Sequence, residues 1–220
     1  MTQQERFIEL FGISWYNQLK DFLHSEEFNT IGQKLLQRRK EVEVCPAQAD
    51  IFKAFRKTPF DEVKVVLIGL HPYKSGSSAT GLAFGVDLNV TDRLTRSIKN
   101  IHKSIESDLD VLNVDFDYTL EGLAEQGVLL LNLGLTADKE DVDRHVKLWE
   151  EFMKVVFNSL HNQKYYICVE DAIYHFKYDN DTFHTYYLTE FKDSKVFSLV
   201  NAYLYMSSKE EINWNIKNKE

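Results

Sequence analysis

The run Val63-Lys-Val-Val-Leu-Ile68 does most to limit what this chain can fold into. It is short, rich in β-branched residues and closed by Gly69, which predicts a strand covered on both faces and hence a parallel sheet. In such sheets ligands bind beyond the carboxyl ends of the strands. Leu70, His71, Pro72 and Tyr73 follow at once, and Gly76 and Gly81 permit tight turns before Leu82-Ala83-Phe84 re-enters the core. Chemistry is expected in this loop.

The rest of the chain supports an alternating α/β architecture. Apolar residues recur at helical spacing from Glu5 to about Arg39, as in Phe7, Leu10 and Phe11, then Trp15, Leu19 and Phe22, then Ile31, Leu35 and Leu36. Pro46 is expected to open a further helix with Ile51, Phe52 and Phe55 on one face, ending near Pro59. Helices are predicted over Thr95–Ser107, Leu120–Gln126, His145–Leu160, Asp171–Tyr178 and Ser194–Tyr205, and strands over Val63–Ile68, Val128–Leu131, Tyr165–Val169 and His184–Leu188. This order predicts a doubly wound, four-stranded parallel sheet flanked by helices. One domain is expected over residues 1–220, with a helical N-terminal part at about 5–60 and a polar, fraying tail at about 215–220.

Composition narrows the function. A net charge of -8 argues against holding nucleic acid by bulk electrostatics, although a local basic patch is compatible with it. Cys45 and Cys168 fit neither a disulfide framework nor a zinc site. The histidines form no pair with ligand spacing, so neither metal nor cofactor is expected. The start Met1-Thr-Gln-Gln-Glu-Arg6 lacks the features of a signal peptide, and no apolar run is long enough to span a bilayer. The expectation is a soluble cytoplasmic protein, or one associated with the nucleoid, or one in the host cytoplasm if the source is viral.

Several local patterns invite a functional reading beside a plain one. Gly76-Ser-Ser-Ala-Thr-Gly81 approaches the glycine spacing of a phosphate loop, but Leu82-Ala83 stand where that motif needs Lys and Ser or Thr, so nucleotide binding is rejected. Asn132 ends the apolar run Leu129-Leu-Leu. It reads either as a satisfied core or capping amide, the commoner case, or as a reader of a pyrimidine edge. Phe84 reads as core or as a stacking platform. The Asp and Glu residues are mostly expected on solvated faces.

These residues together carry a family resemblance. Gly69-Leu-His-Pro-Tyr-Lys74 followed by Thr80-Gly-Leu-Ala-Phe-Gly-Val86 resembles the water-activating segment of family-one uracil-DNA glycosylases, which reads Gly-Gln-Asp-Pro-Tyr-His and then His-Gly-Leu-Ala-Phe-Ser-Val. Val44-Cys-Pro-Ala-Gln-Ala-Asp-Ile-Phe-Lys-Ala-Phe-Arg56, Ser97-Ile-Lys-Asn-Ile101, Gln126-Gly-Val-Leu-Leu-Leu-Asn132 with Leu135-Thr136, and Ile212-Asn-Trp214 are similar to the family in the same order. The resemblance implies a uracil-DNA glycosylase-like fold. It also implies a uracil pocket with Leu70 in its loop, Tyr73 walling off the thymine methyl, Phe84 stacking on a flipped base and Asn132 bonding its edge. His145, in Arg144-His-Val-Lys-Leu-Trp149, resembles a family histidine near the site, an accessory position.

The departures fall on the catalytic side. His71 stands where the family has an Asp that positions water and stabilises the positive sugar. A neutral imidazole, with an unperturbed pKa of about 6.5, can orient water but supplies no negative charge. The family's His-Pro-Ser-Pro-Leu-Ser segment, with its anion-stabilising His and its leucine wedge, is replaced by Tyr187-Leu-Thr-Glu-Phe-Lys-Asp-Ser-Lys-Val196. The proline-rich loop becomes Asn89-Val-Thr-Asp-Arg-Leu-Thr-Arg96, and Val169-Glu-Asp171 replaces Trp-Gly. Read this way, excision is impaired or lost and the fold is kept for binding. The partner would be a replication or repair protein, an inhibitor-type protein, or uracil-containing DNA held weakly, with no membrane involved. The alternative is a slow or altered glycosylase that hydrolyses the uracil N-glycosidic bond.

Overall fold

The computed structural model describes residues 1–75, 78–91, 93–160, 165–169, 172, 184–188 and 195–218. The helical entry resolves into α1 (Gln3–Phe11), α2 (Ile13–Leu23) and α3 (Glu26–Glu41). Each start has a physical cause. Thr2 and Glu5 form a reciprocal capping box on α1, and the Ser25 hydroxyl accepts from the Phe28 N–H on α3. Pro46 does not open a helix as expected. It follows Cys45 through a cis peptide, a short 3₁₀ turn covers Gln48–Asp50, and α4 is only Lys53–Lys57.

The strands fall where the apolar runs placed them: β1 (Val65–Gly69), β2 (Val128–Asn132), β3 (Tyr165–Val169) and β4 (His184–Leu188). They form one parallel sheet in the order β2-β1-β3-β4. Every residue of β1 and β2 is buried, which explains why these segments show continuous apolar character rather than alternation. In register, Val65 faces Val128 and Gly69 faces Asn132. Gly127 starts that ladder. Its carbonyl accepts from the N–H groups of Lys64 and Val65, and glycine is required there because φ is 96° and a Cβ would collide with the Glu62 carbonyl.

Between β1 and β2 lie α5 (Arg96–Leu109) and α6 (Glu121–Ala124); α7 (Val142–Ser159) precedes β3, and α8 (Val196–Met206) follows β4. Of the helix expected over Asp171–Tyr178, only Ala172 is among the described residues. The chain turns one way from β1 to β2 and the other way from β2 to β3. Right-handed crossovers therefore put α5 and α7 on opposite faces of the sheet. On the α7 side, Phe11, Phe28, Phe52, Phe55, Trp149 and Phe152 interlock, with the Phe11 and Phe52 rings 4.2 Å apart. Burial of each large ring contributes about 2–3 kcal/mol. On the other side α5 meets α8, whose first turn is held by Asp108: its carboxylate accepts from the N–H groups of Phe197 (2.8 Å) and Ser198 (2.9 Å).

One further expectation is corrected here. The tail does not fray over 215–218, because Ile216 is buried, its carbonyl accepts from the Asn113 amide, and Asn218 bonds to Asp115. The carboxylates lie mostly on solvated faces, with Asp108, Asp117 and Asp138 as buried exceptions. Each is held by hydrogen-bond donors that come with the fold.

Candidate functional site

A cavity of about 290 Å³ opens beyond the carboxyl ends of β1 and β3, lined among others by Leu70, His71, Tyr73, Phe84, Thr95 and Val169. Leu70 follows β1 and Val169 ends β3. The strand order reverses between those two strands, so the cavity lies at the switch point of the sheet, where such folds bind ligands.

The geometry starts from Gly69. A Cβ on it would lie 2.5 Å from Asn132 Oδ1 and 3.0 Å from Phe84 Cζ. The missing side chain is what lets the amide of β2 and the ring of the following loop share the space over the end of β1. Asn132 is buried, and Phe84 is half-buried at the cavity. Phe84 also has φ of 65°, a left-handed conformation that costs an aromatic residue about 1–3 kcal/mol and persists only when its surroundings impose it.

Those surroundings are visible. The Tyr73 hydroxyl donates to the Phe84 carbonyl (3.0 Å), and the Ala83 N–H donates to the Leu130 carbonyl of β2 (3.1 Å). Tyr73 is itself fixed, since its hydroxyl oxygen accepts from Thr95 Oγ1 at 2.8 Å. Thr95 is the N-cap of α5, yet its side chain makes no capping bond. The hydroxyl that would ordinarily cap the helix is spent on orienting Tyr73. Sequence reasoning did not single out Thr95; a threonine just ahead of a helix with no Glu or Gln three residues on was the available signal.

His71 sits at the mouth with its Nδ1 2.7 Å from the Pro72 carbonyl oxygen. A carbonyl only accepts, so Nδ1 carries the proton, and in the neutral ring Nε2 is the acceptor nitrogen. The loop is secured from β2, because the N–H groups of Leu133 and Gly134 donate to the carbonyls of Gly69 and Leu70 (both 2.9 Å).

Leu70, His71, Tyr73 and Phe84 are thus brought together on the cavity wall; Asn132 is not among the lining residues and meets Phe84 only over Gly69. His145 is not on that wall. It is buried behind β2, where Nε2 meets Asp138 Oδ2 at 2.9 Å and Nδ1 meets Thr136 Oγ1 at 2.8 Å. Trp149 Nε1 donates to the same Thr136 oxygen, and Arg38 Nε donates to Asp138 (2.8 Å). Burial pushes the Asp138 carboxyl up. The hydrogen bonds from Arg38, His145 and the Asp141 and Glu140 N–H groups outweigh it and hold the group well below the usual carboxylate range. Among the described residues, no cluster of His, Cys, Asp or Glu could hold a metal ion, and no helix is long and apolar enough to cross a membrane.

No protein-family model matches the chain. It is 30% identical over 217 residues to the uracil-DNA glycosylase of Deinococcus deserti, a match that spans 92% of this chain and 87% of that protein. It is 35% identical over 150 residues to uracil-DNA glycosylase 1 of Listeria monocytogenes, covering 68% of this chain and 66% of that one. The fold is similar to the crystal structure of mimivirus uracil-DNA glycosylase, with a TM-score of 0.80 at 19% identity over 94% of this chain and 88% of that chain.

Proposed function

The chain belongs to the uracil-DNA glycosylase family, and on that premise we propose that it hydrolyses the N-glycosidic bond of uracil in DNA, slowly, with His71 orienting the attacking water. The observation that carries this reading is that Tyr73 and Phe84 share one cavity wall while Phe84 and Asn132 share the space over Gly69 next to it. A flipped uracil in that cavity meets an aromatic face, an amide able to donate and accept along its edge, and a tyrosine ring in the way of a 5-methyl group.

The chemistry needs an acceptor for one proton. The water oxygen forms a bond to C1′, the C1′–N1 bond breaks with its electron pair leaving on uracil, and the water proton passes to His71 Nε2. A neutral imidazole does not offset the positive charge that develops on the sugar. The rate is therefore expected to lie about two to three orders of magnitude below that of a site with a fixed carboxylate.

The test is release of uracil from uracil-containing single-stranded DNA, at high protein concentration and long times, beside Asn132→Ala and His71→Ala. The expected result is release by the parent chain, loss in Asn132→Ala and a marked fall in His71→Ala. Absence of release by the parent chain would overturn the reading.

His71 also favours a second reading, in which the fold is retained for binding without excision. Its partner would be uracil-containing DNA, a replication or repair protein, or an inhibitor-type protein. Supporting a protein partner, variants of mimivirus UNG have been solved in complex with UGI. Binding of uracil-containing DNA that Asn132→Ala weakens, with no release, is the outcome this reading expects.

A further inference from the structure

The helix α8 is apolar on both its inner and its outer side. None of its eleven residues is charged, whereas 27% of the whole chain is. On the inner side Phe197, Val200 and Leu204 are buried, α8 packs on α5, and the Phe197 ring meets that of Trp214 at 4.9 Å. Its Ser and Asn side chains are engaged by neighbouring elements: Ser198 Oγ donates to Asp108, and the Asn201 amide bonds to Ile212 and Trp214. The outer side lies in water. There Leu199 is 39% exposed, Tyr205 73% and Met206 77%, with Ala202 exposed among them. The outer faces of α5 and α7 carry charges instead, at Lys99 and Lys103 and at Arg144, Lys147 and Glu151. A helix apolar on every side belongs in an interior, and a contiguous apolar face left in water marks contact with another molecule.

The spacing of that face suits a second copy of itself. Leu199, Ala202 and Met206 follow one another at intervals of three and four residues, so they form one stripe with the spacing of a helix-pairing seam. Ala202 stands at its middle. A single methyl group there lets another helix approach to about 8–10 Å between axes. When two copies of α8 lie antiparallel about a two-fold axis at Ala202, Leu199 of one copy meets Met206 of the other, and the two Ala202 methyl groups meet on the axis.

Charge selects the same occupant. In a two-fold contact a group near the axis faces its own counterpart, so any charge there would meet its own kind. The chain carries a net charge of -8, and α8 offers a face on which two copies meet without that repulsion. A foreign partner of an acidic chain would be drawn by carboxylates, and this helix has none.

We propose that the protein forms a homodimer in solution through the outer face of α8, with the two-fold axis at Ala202. Among the described residues lining the cavity none belongs to α8, so the proposal is independent of what the cavity binds.

Sedimentation velocity over a wide range of protein concentration tests it. The parent chain is expected to pass from monomer to dimer as concentration rises. Ala202→Glu and Ala202→Lys should each raise the dissociation constant about tenfold or more, because like charges then face each other at the axis. Position 202 is exposed, so the urea midpoint of either variant should match the parent's. An equimolar mixture of the two variants should recover the dimer, since opposite charges then meet. A parent chain that stays monomeric at every concentration overturns the proposal. So does a dimer that survives Ala202→Glu, or a mixture that stays monomeric.

Discussion

The cavity beyond β1 and the polar cluster behind β2 are built from adjoining stretches of chain, yet they handle polar groups in opposite ways. Behind β2, Asp138 is met by Arg38, His145 and two backbone N–H groups, and Thr136 bridges His145 and Trp149. Asp138, Thr136, His145 and Trp149 are buried and their polar atoms are paired, with Arg38 closing the cluster on its outer side, which is the mark of a support. At the cavity, Thr95 and Tyr73 are only half-buried, and their hydroxyls hold Phe84 in a backbone conformation that it would not adopt alone. There the fold accepts strain beside open space, which is the mark of a site.

If that contrast is right, substitutions in the two places should separate stability from recognition. The largest effect is expected from Asp138→Ala, which leaves the buried His145 Nε2 without its carboxylate and removes one partner of Arg38; a loss of about 3 kcal/mol in urea unfolding is expected. Gly69→Ala should do the reverse. Its Cβ pushes on the far end of the Asn132 side chain, which can yield, so stability should drop by only about 1 kcal/mol. Binding of uracil-containing DNA, followed by anisotropy, should weaken about tenfold or more as the amide leaves its position. A Gly69→Ala chain that binds normally would break the comparison.

Smaller effects sharpen it. Thr95→Val removes the donor to Tyr73 and should weaken the same binding by about 1 kcal/mol, with the unfolding midpoint little changed. The mildest test is stability against pH. Burial lowers the His102 pKa, so its neutral form favours the fold; that contribution is complete above the ordinary imidazole value of about 6.5 and is lost as pH falls below it. Glu121 is lowered to about 2 by hydrogen bonds from Lys53 and Lys57, so its contribution, about 1 kcal/mol after solvent screening, is present above the ordinary carboxylate range and lost as pH falls towards 2. Urea midpoints measured downward from pH 7 should fall in two steps, and Glu121→Gln should shrink only the second.

The sequence made some of this legible. Apolar runs bounded by glycine or by Asn132 placed β1 and β2, because burial on both faces writes itself into composition, and short segments rich in tyrosine and β-branched residues placed β3 and β4. Pro46 misled, since the chain beyond it makes only a short 3₁₀ turn over Gln48–Asp50 before α4, and a proline marks a turn as readily as a helix start. The buried carboxylates were hidden for a different reason. Asp138 owes its place to Arg38, one hundred positions away in the chain, and no local pattern records such a pairing. At the site, Tyr73 and Phe84 stood out through the loop that carries them, whereas Asn132 alone read as readily as a capping amide. What separates the two readings is the absent Cβ of Gly69 on a neighbouring strand.

The pairing of β1 with β2 sets more than the shape of the sheet. Val128, Leu129, Leu130 and Leu131 are nearly interchangeable as buried hydrocarbon, so a chain paired one position out of step would still bury an oily strand. It would be compact, with a leucine where the Asn132 amide stands over Gly69. The Gly127 carbonyl, clasped by the N–H groups of Lys64 and Val65, belongs to one register only. A backbone contact at the far end of the strand pair thus decides which side chain stands at the cavity end.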